Sequence, residues 1–211
     1  FLAATLAWGN RVSILKSLDK LMECMDHAPG QFVLEHEEAD LKAFDGFVHR
    51  TFQAEDARGF MRALRGLMRT HGSLEAAFQE HAPGGEGPAG IKPMLAGFHR
   101  AFMAQTGVAP RTKKHVANPY AGSAAKRLNM FLRWMVRPST RGVDLGLWSS
   151  FKPQDLHIPL DVHTSNVGRK LGLLTRKAND WRAVDELTAS LREIDPQDPV
   201  RLDFAPVSYT H

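Results

Sequence analysis

Hydrophobic positions recur at three- and four-residue intervals in separate stretches of the chain, and each stretch predicts an amphipathic helix. Leu15, Leu18, Leu21, Met22 and Met25 mark one within residues 2–26, interrupted near Gly9 and stopped by Pro29 and Gly30. Phe60, Leu64, Leu67 and Met68 mark a second, which runs out at Gly72, and Ser73 then caps a short helix over LEAAFQEH. Another covers roughly 94–105, and one opened by Ser123 runs to Arg137, where Pro138 ends it. Two more start near Asp161 and Asp180, and the Asp-Pro pair at 198–199 opens a last one. The clearest loop is APGGEGPAG at 82–90, which separates two groups of helices, about 1–81 and 91–205. No strand ladder and no internal repeat stands out. The expected fold is all-α, a single domain of two helical lobes.

The helix KRLNMFLRWMVR is apolar around most of its circumference, which predicts burial. Its polar residues nevertheless align: Asn129, Arg133 and Arg137 recur every four residues, with Lys126 three before Asn129. A buried helix with one polar edge turned to a cleft is the expectation.

The net charge is only +4, but its placement matters. Arg111, Lys113, Lys114, Lys126, Arg127, Arg133, Arg137 and Arg141 follow one another with no Asp or Glu between them. Such a stretch suits a surface that meets phosphates; the alternative is a face neutralised by acids from elsewhere in the fold. The single cysteine, Cys24, excludes an intrachain disulfide and a thiolate-held cluster, and fits a reducing, cytoplasmic setting. No apolar run has the length of a membrane span. The start at Phe1 and the stop soon after DPVRLDFA predict a fragment clipped at both ends.

Two residues carry candidate chemistry. Lys126 lies in the first turn of its helix, where the dipole and the unpaired N–H groups disfavour a cation, and a lysine that sheds its proton is an amine nucleophile able to form a Schiff base at a sugar C1′. Asp161, in HIPLDVHTSNVGRKLGLL, is placed to cap the next helix. A carboxylate there, kept ionised by the helix N-terminus, suits stabilisation of an oxocarbenium-like sugar.

PLDVHTSNVGRKLGLL resembles the segment of the helix-hairpin-helix DNA glycosylases in which an aspartate opens D-x-H-x-x-x-x-x-R-x-L. The resemblance implies that Asp161 is the catalytic acid and that Lys126, at the start of the helix after the hairpin, is the nucleophile. Their thirty-five-residue separation and the connector ending in I-P-x-D are similar to the archaeal 8-oxoguanine glycosylase branch. FLAATLAWGNR is similar to that superfamily's early helix, which places Asn10 against DNA. Over nearly the whole chain, SAAKRLNMFLRWMVR, VDLGLW, IPLDVHT and KLGLLTRKANDW also resemble a bacterial domain-of-unknown-function family. Two departures stand out: YAGSAAK has only Gly122 where the hairpin carries G-x-G, and FAPVSYTH replaces the family's usual continuation after Phe204.

The resemblance implies two lobes around a cleft, and a DNA glycosylase with AP lyase activity on a damaged purine such as 8-oxoguanine. It would act as a monomer on damaged duplex DNA, with no metal and no cofactor. The expected DNA contacts are Arg111, Lys113, Lys114, Arg127 and Arg133 from the basic stretch, joined by Asn10 and His163. Trp8, Tyr120, Trp134 and Trp148 are candidates to stack on a base. Two rival readings remain: a non-enzymatic DNA- or RNA-binding module, and a metal-dependent hydrolase built on His157, Asp161 and His163.

Overall fold

The computed structural model describes residues 1–82, 90–139 and 142–204. The chain forms two compact units: one from Phe1–Phe78 and Phe98–Val116, the other from Gln79–Gly97 and Ala117–His211. The expected break at 82–90 lies mostly outside the described residues, as do Arg141 and the chain after Phe204. The division is not a single cut, because the helix Ile91–Met103 gives its first half to one unit and its second half to the other.

The first unit opens with α1 (Leu2–Leu6), α2 (Arg11–Glu23) and α3 (Pro29–Glu35). Gly9, at φ 106°, makes the break expected between α1 and α2. Pro29 does not simply stop the pattern; it stands at the first position of α3, where its missing N–H costs nothing. A short antiparallel hairpin, β1 (Val48–His49) with β2 (Phe52–Gln53), was not foreseen; two residues per strand leave no alternation to read. It leads into α4 (Ala54–His71), and α5 (Leu74–Gln79) follows after Ser73 Oγ accepts the Ala76 N–H. Phe44, Phe47, Phe52, Phe60, Phe78, Phe98 and Phe102 fill the core, with Phe60 and Phe102 centred 4.8 Å apart. At about 2–3 kcal/mol for each fully buried large side chain, these rings dominate the unit's cohesion.

The second unit is built on α6 (Ile91–Met103, first half), α7 (Lys126–Val136), α8 (Val162–Lys170) and α9 (Trp181–Ile194). The Asp161 and Asp180 carboxylates cap α8 and α9 by accepting the Thr164 and Ala183 N–H groups. α7 is buried as its composition requires, through Leu128, Phe131, Leu132 and Val136. Its last carbonyls are satisfied by the irregular segment after it: the Leu145 N–H donates to Trp134 O and the Trp148 N–H to Met135 O. The Asp-Pro pair opens a 3₁₀ helix over Pro199–Phe204 rather than an α-helix. Among the described residues the fold is all-α apart from the small hairpin.

Candidate active site

The approach to Lys126 is fixed by side-chain caps and two left-handed residues. Asn118 Oδ1 accepts the Tyr120 N–H and starts a 3₁₀ turn over Pro119–Ala121, which Gly122 closes at φ 83°. Ser123 Oγ accepts the Ala125 N–H, and Ala125 at φ 47° redirects the chain into α7. The helix therefore starts at Lys126, two residues later than a capping serine alone predicts. The second left-handed position of the turn is filled by an alanine, which costs about 1 kcal/mol relative to glycine.

Asp161 is set just as firmly. It follows the buried run Leu156–Leu160, and its Oδ1 accepts the Thr164 N–H at 2.8 Å. Its other oxygen lies 3.2 Å from Lys126 Nζ, with 39% of the lysine side chain and 31% of the aspartate exposed. The amine and the acid thus meet at the mouths of two different helices, within reach of solvent. Burial raises the Asp161 pKa, but the Thr164 N–H and the Lys126 charge outweigh it and hold the carboxyl below its ordinary range.

A second acid, Asp203, stands by this pair. Its carboxylate takes Arg133 Nη1 at 2.5 Å. Burial pushes its pKa up; Asp161 adds to that, while Arg133 and Lys126 oppose it. The sequence offered no motif for it. The signal that was there is electrostatic: a helix with two arginines on one inward edge requires acids from outside the basic stretch.

That edge corrects an expectation. Asn129 and Arg133 are buried, at 1% and 2% exposure, so the polar edge of α7 turns inward beyond its first turn, where Lys126 alone on that edge reaches solvent to an extent comparable with Asp161. Arg133 pairs with Asp203 and with Asp144, 3.4 Å from its Nε, and Arg137 pairs with Asp144 and Asp198. Arg133, expected to meet phosphate, thus has its charge paired with acids inside the unit. Arg127 is half-buried, and burial lowers its pKa. His163 is exposed on the first turn of α8, next to Asp161.

The remaining expected contacts lie in the first unit. Asn10 is exposed and caps α2 through the Val12 N–H. Lys113 and Lys114 are exposed on the 3₁₀ turn Pro110–Lys114. Arg111 is held by neighbours instead: it donates to Gln53 Oε1 and Thr51 O and lies 3.4 Å from the fully buried Asp56. Asp56 also accepts the Thr112 hydroxyl at 2.8 Å, which pins this turn to the start of α4. Of the aromatic candidates, Trp148 is buried against Phe131, whereas Tyr120 is 63% exposed with Lys92 Nζ 4.9 Å from its ring centre.

The metal reading does not assemble. His157 is buried and its Nε2 faces Asp185 at 3.4 Å, while Asp161 faces Lys126. Among the described residues no three His, Cys, Asp or Glu side chains converge as a metal ion would need. Nor is any helix among them long and apolar enough to cross a membrane.

Comparison with known proteins agrees with one of the two resemblances drawn from the residues. Residues 1–209 match the family described as "Protein of unknown function (DUF2400)". The chain belongs to the DUF2400 family. No curated protein and no solved structure matches. The DUF2400 match takes in Lys126, Asp161 and Asp203 together, so the whole candidate site lies within the family's span.

Proposed function

We propose that this DUF2400 chain is a DNA glycosylase with AP lyase activity, acting on a damaged purine such as 8-oxoguanine. The observation that carries the reading is the 3.2 Å approach of Lys126 Nζ to Asp161 Oδ2, made by residues thirty-five positions apart and partly open to solvent. Most exposed ion pairs are worth only about 0–1 kcal/mol, so stability is a weak reason to build two helix starts around one. An amine beside an ionised carboxylate suits chemistry at a sugar C1′.

In that chemistry the damaged nucleotide leaves the stack. The Lys126 ammonium gives up a proton to solvent, and its nitrogen lone pair forms a bond to C1′. The C1′–N bond of the base breaks, its electron pair leaves with the base, and the base takes up a proton. Asp161, kept ionised by the Thr164 N–H, stabilises the positive charge that develops on the sugar. The C1′–O4′ bond then breaks, its electron pair leaving on O4′, which takes up a proton, while the lysine nitrogen loses one and its lone pair forms the C1′=N bond of the Schiff base. Loss of a proton from C2′ then expels the 3′ phosphate with its electron pair and cuts the strand.

Borohydride reduction tests this directly. Wild-type protein is expected to be captured covalently on duplexes containing 8-oxoguanine or an abasic site. Lys126→Gln should abolish capture, and Asp161→Asn should slow base release by roughly 10²-fold or more, the size of a lost electrostatic group at a reacting centre. Failure of wild-type protein to be captured on either lesion removes the lyase assignment. Salt-sensitive binding without capture would favour a non-enzymatic module instead.

A further inference from the structure

Arg50 lies at the tip of the β1–β2 hairpin with φ 55°, the left-handed region that Asn, Asp and Gly favour in such turns and a long side chain does not. The residue is exposed, and among the described residues no acid pairs with it. Its guanidinium carbon sits 4.7 Å from the centre of the Trp8 ring. Gly9, which follows that tryptophan, stands at φ 106°, a conformation that L side chains rarely adopt, and a Cβ there would push Arg50 Nη1, 2.7 Å away, out of its place. The hairpin and the Trp8–Gly9 turn are tied further by His49, whose Nδ1 lies 2.9 Å from Ser17 Oγ and whose Nε2 lies 3.3 Å from Trp8 O. Two separate departures from ordinary backbone conformation thus place one unneutralised guanidinium on an aromatic plate.

The neighbourhood is basic and polar. Arg111 donates to the carbonyl of Thr51, the next residue of the hairpin, and is itself paired with Glu55 and Asp56, so it braces the tip while Arg50 carries the charge that no acid meets among the described residues. Asn10 and Arg11 are exposed immediately after Gly9. A planar cation fixed against an indole presents N–H donors in a set geometry, which matches phosphate oxygens better than a mobile lysine would.

We propose that Arg50 is a phosphate-binding residue of the first unit, and that the Trp8–Gly9 turn exists to hold its guanidinium against a nucleic-acid backbone. This rests on the nucleic-acid reading above but not on the Lys126 chemistry.

The test is binding of the full chain to a short fluorescein-labelled DNA duplex, read by anisotropy over a series of salt concentrations. Arg50→Gly relaxes the left-handed position while removing the guanidinium, so it should leave the melting temperature unchanged or higher. It should weaken binding about fivefold near 0.15 M salt and make the salt slope shallower by about 0.9, the signature of one lost phosphate contact. A purely structural role would lower the melting temperature and leave the slope alone. Arg50→Asn, whose side chain also tolerates the left-handed region, is the second variant and should behave the same. If both variants bind with wild-type slope and affinity, Arg50 is not a contact, whatever the outcome of borohydride capture. If wild-type protein binds with an Arg50-dependent slope but is never captured, the lyase reading falls and this one stands. Absence of any duplex binding by wild-type protein overturns both.

Discussion

His157 has an imidazole almost wholly inside the second unit, tilted against Trp181 with ring centres 5.2 Å apart. Burial lowers its pKa from the ordinary 6.5; Arg192 pushes the same way, and Asp185 opposes them. A histidine that is neutral when folded takes up a proton in the unfolded chain first. Stability linked to it is therefore complete above about pH 6.5 and declines as pH falls toward the lowered folded value, at no more than about 1.4 kcal/mol per pH unit. Chemical denaturation of wild type and His157→Gln between neutrality and mild acid should show the wild-type advantage shrinking with falling pH. A pH-independent difference would mean that folding leaves the His157 pKa unshifted, and an advantage growing with falling pH that the folded protein holds it charged. Asp161 has a depressed pKa, so its contribution has a different window: it persists through this range and is lost only as pH drops below the ordinary carboxylate value near 4. The difference between wild type and Asp161→Asn should accordingly stay flat where the His157 difference changes.

Among the elements, α7 shows what a hydrophobic pattern reveals and what it leaves out. Its burial was legible because Leu128, Phe131, Leu132 and Val136 surround the axis. The direction of its polar edge was not, because the same spacing of Asn129, Arg133 and Arg137 fits either a cleft or a buried set of acids. The answer came from Asp144, Asp198 and Asp203, which lie up to seventy residues away and follow no local period. Asp161 as the cap of α8 was legible because capping is local. The break at Gly9 was too, whereas α3 was missed by reading Pro29 as a stop. The start of α7 was misplaced for a related reason: the left-handed Ala125 has no residue-type signature, since glycine or asparagine is expected there. This position makes an element-scale prediction. Ala125 is buried, so Ala125→Gly gives up the packing of one methyl group, but it relieves the φ 47° backbone. It should stabilise the protein by up to about 1 kcal/mol, a rise of roughly 2–4 °C in melting temperature for a chain of this size. Because Lys126 is the next residue, borohydride capture should survive the change; its loss would mean that the strained turn itself sets the amine's aim.

At the scale of the molecule, eight basic residues between Arg111 and Arg141 seemed to announce one large phosphate-binding surface. The pairings distribute them otherwise. Arg111 is tied to Gln53, Thr51 and Asp56, Lys126 to Asp161, and Arg133 and Arg137 to buried acids, while Arg141 lies outside the described residues. Lys113 and Lys114 are exposed, and Arg50, from outside the stretch, adds a charge that no acid neutralises among the described residues. Charges already paired release few counterions on binding, so the salt dependence should reflect the exposed cations rather than the count in the sequence. Eight phosphate contacts would give a log–log slope near −7 on duplex DNA, at ~0.9 per contact; the structure predicts a slope of about −2 to −4. A measured slope near −7 would require Arg133 and Arg137 to leave Asp203, Asp144 and Asp198 when DNA binds. Uncovering those acids beside a polyanion opposes binding, so on the proposed DNA-binding reading the shallower slope is the expected result.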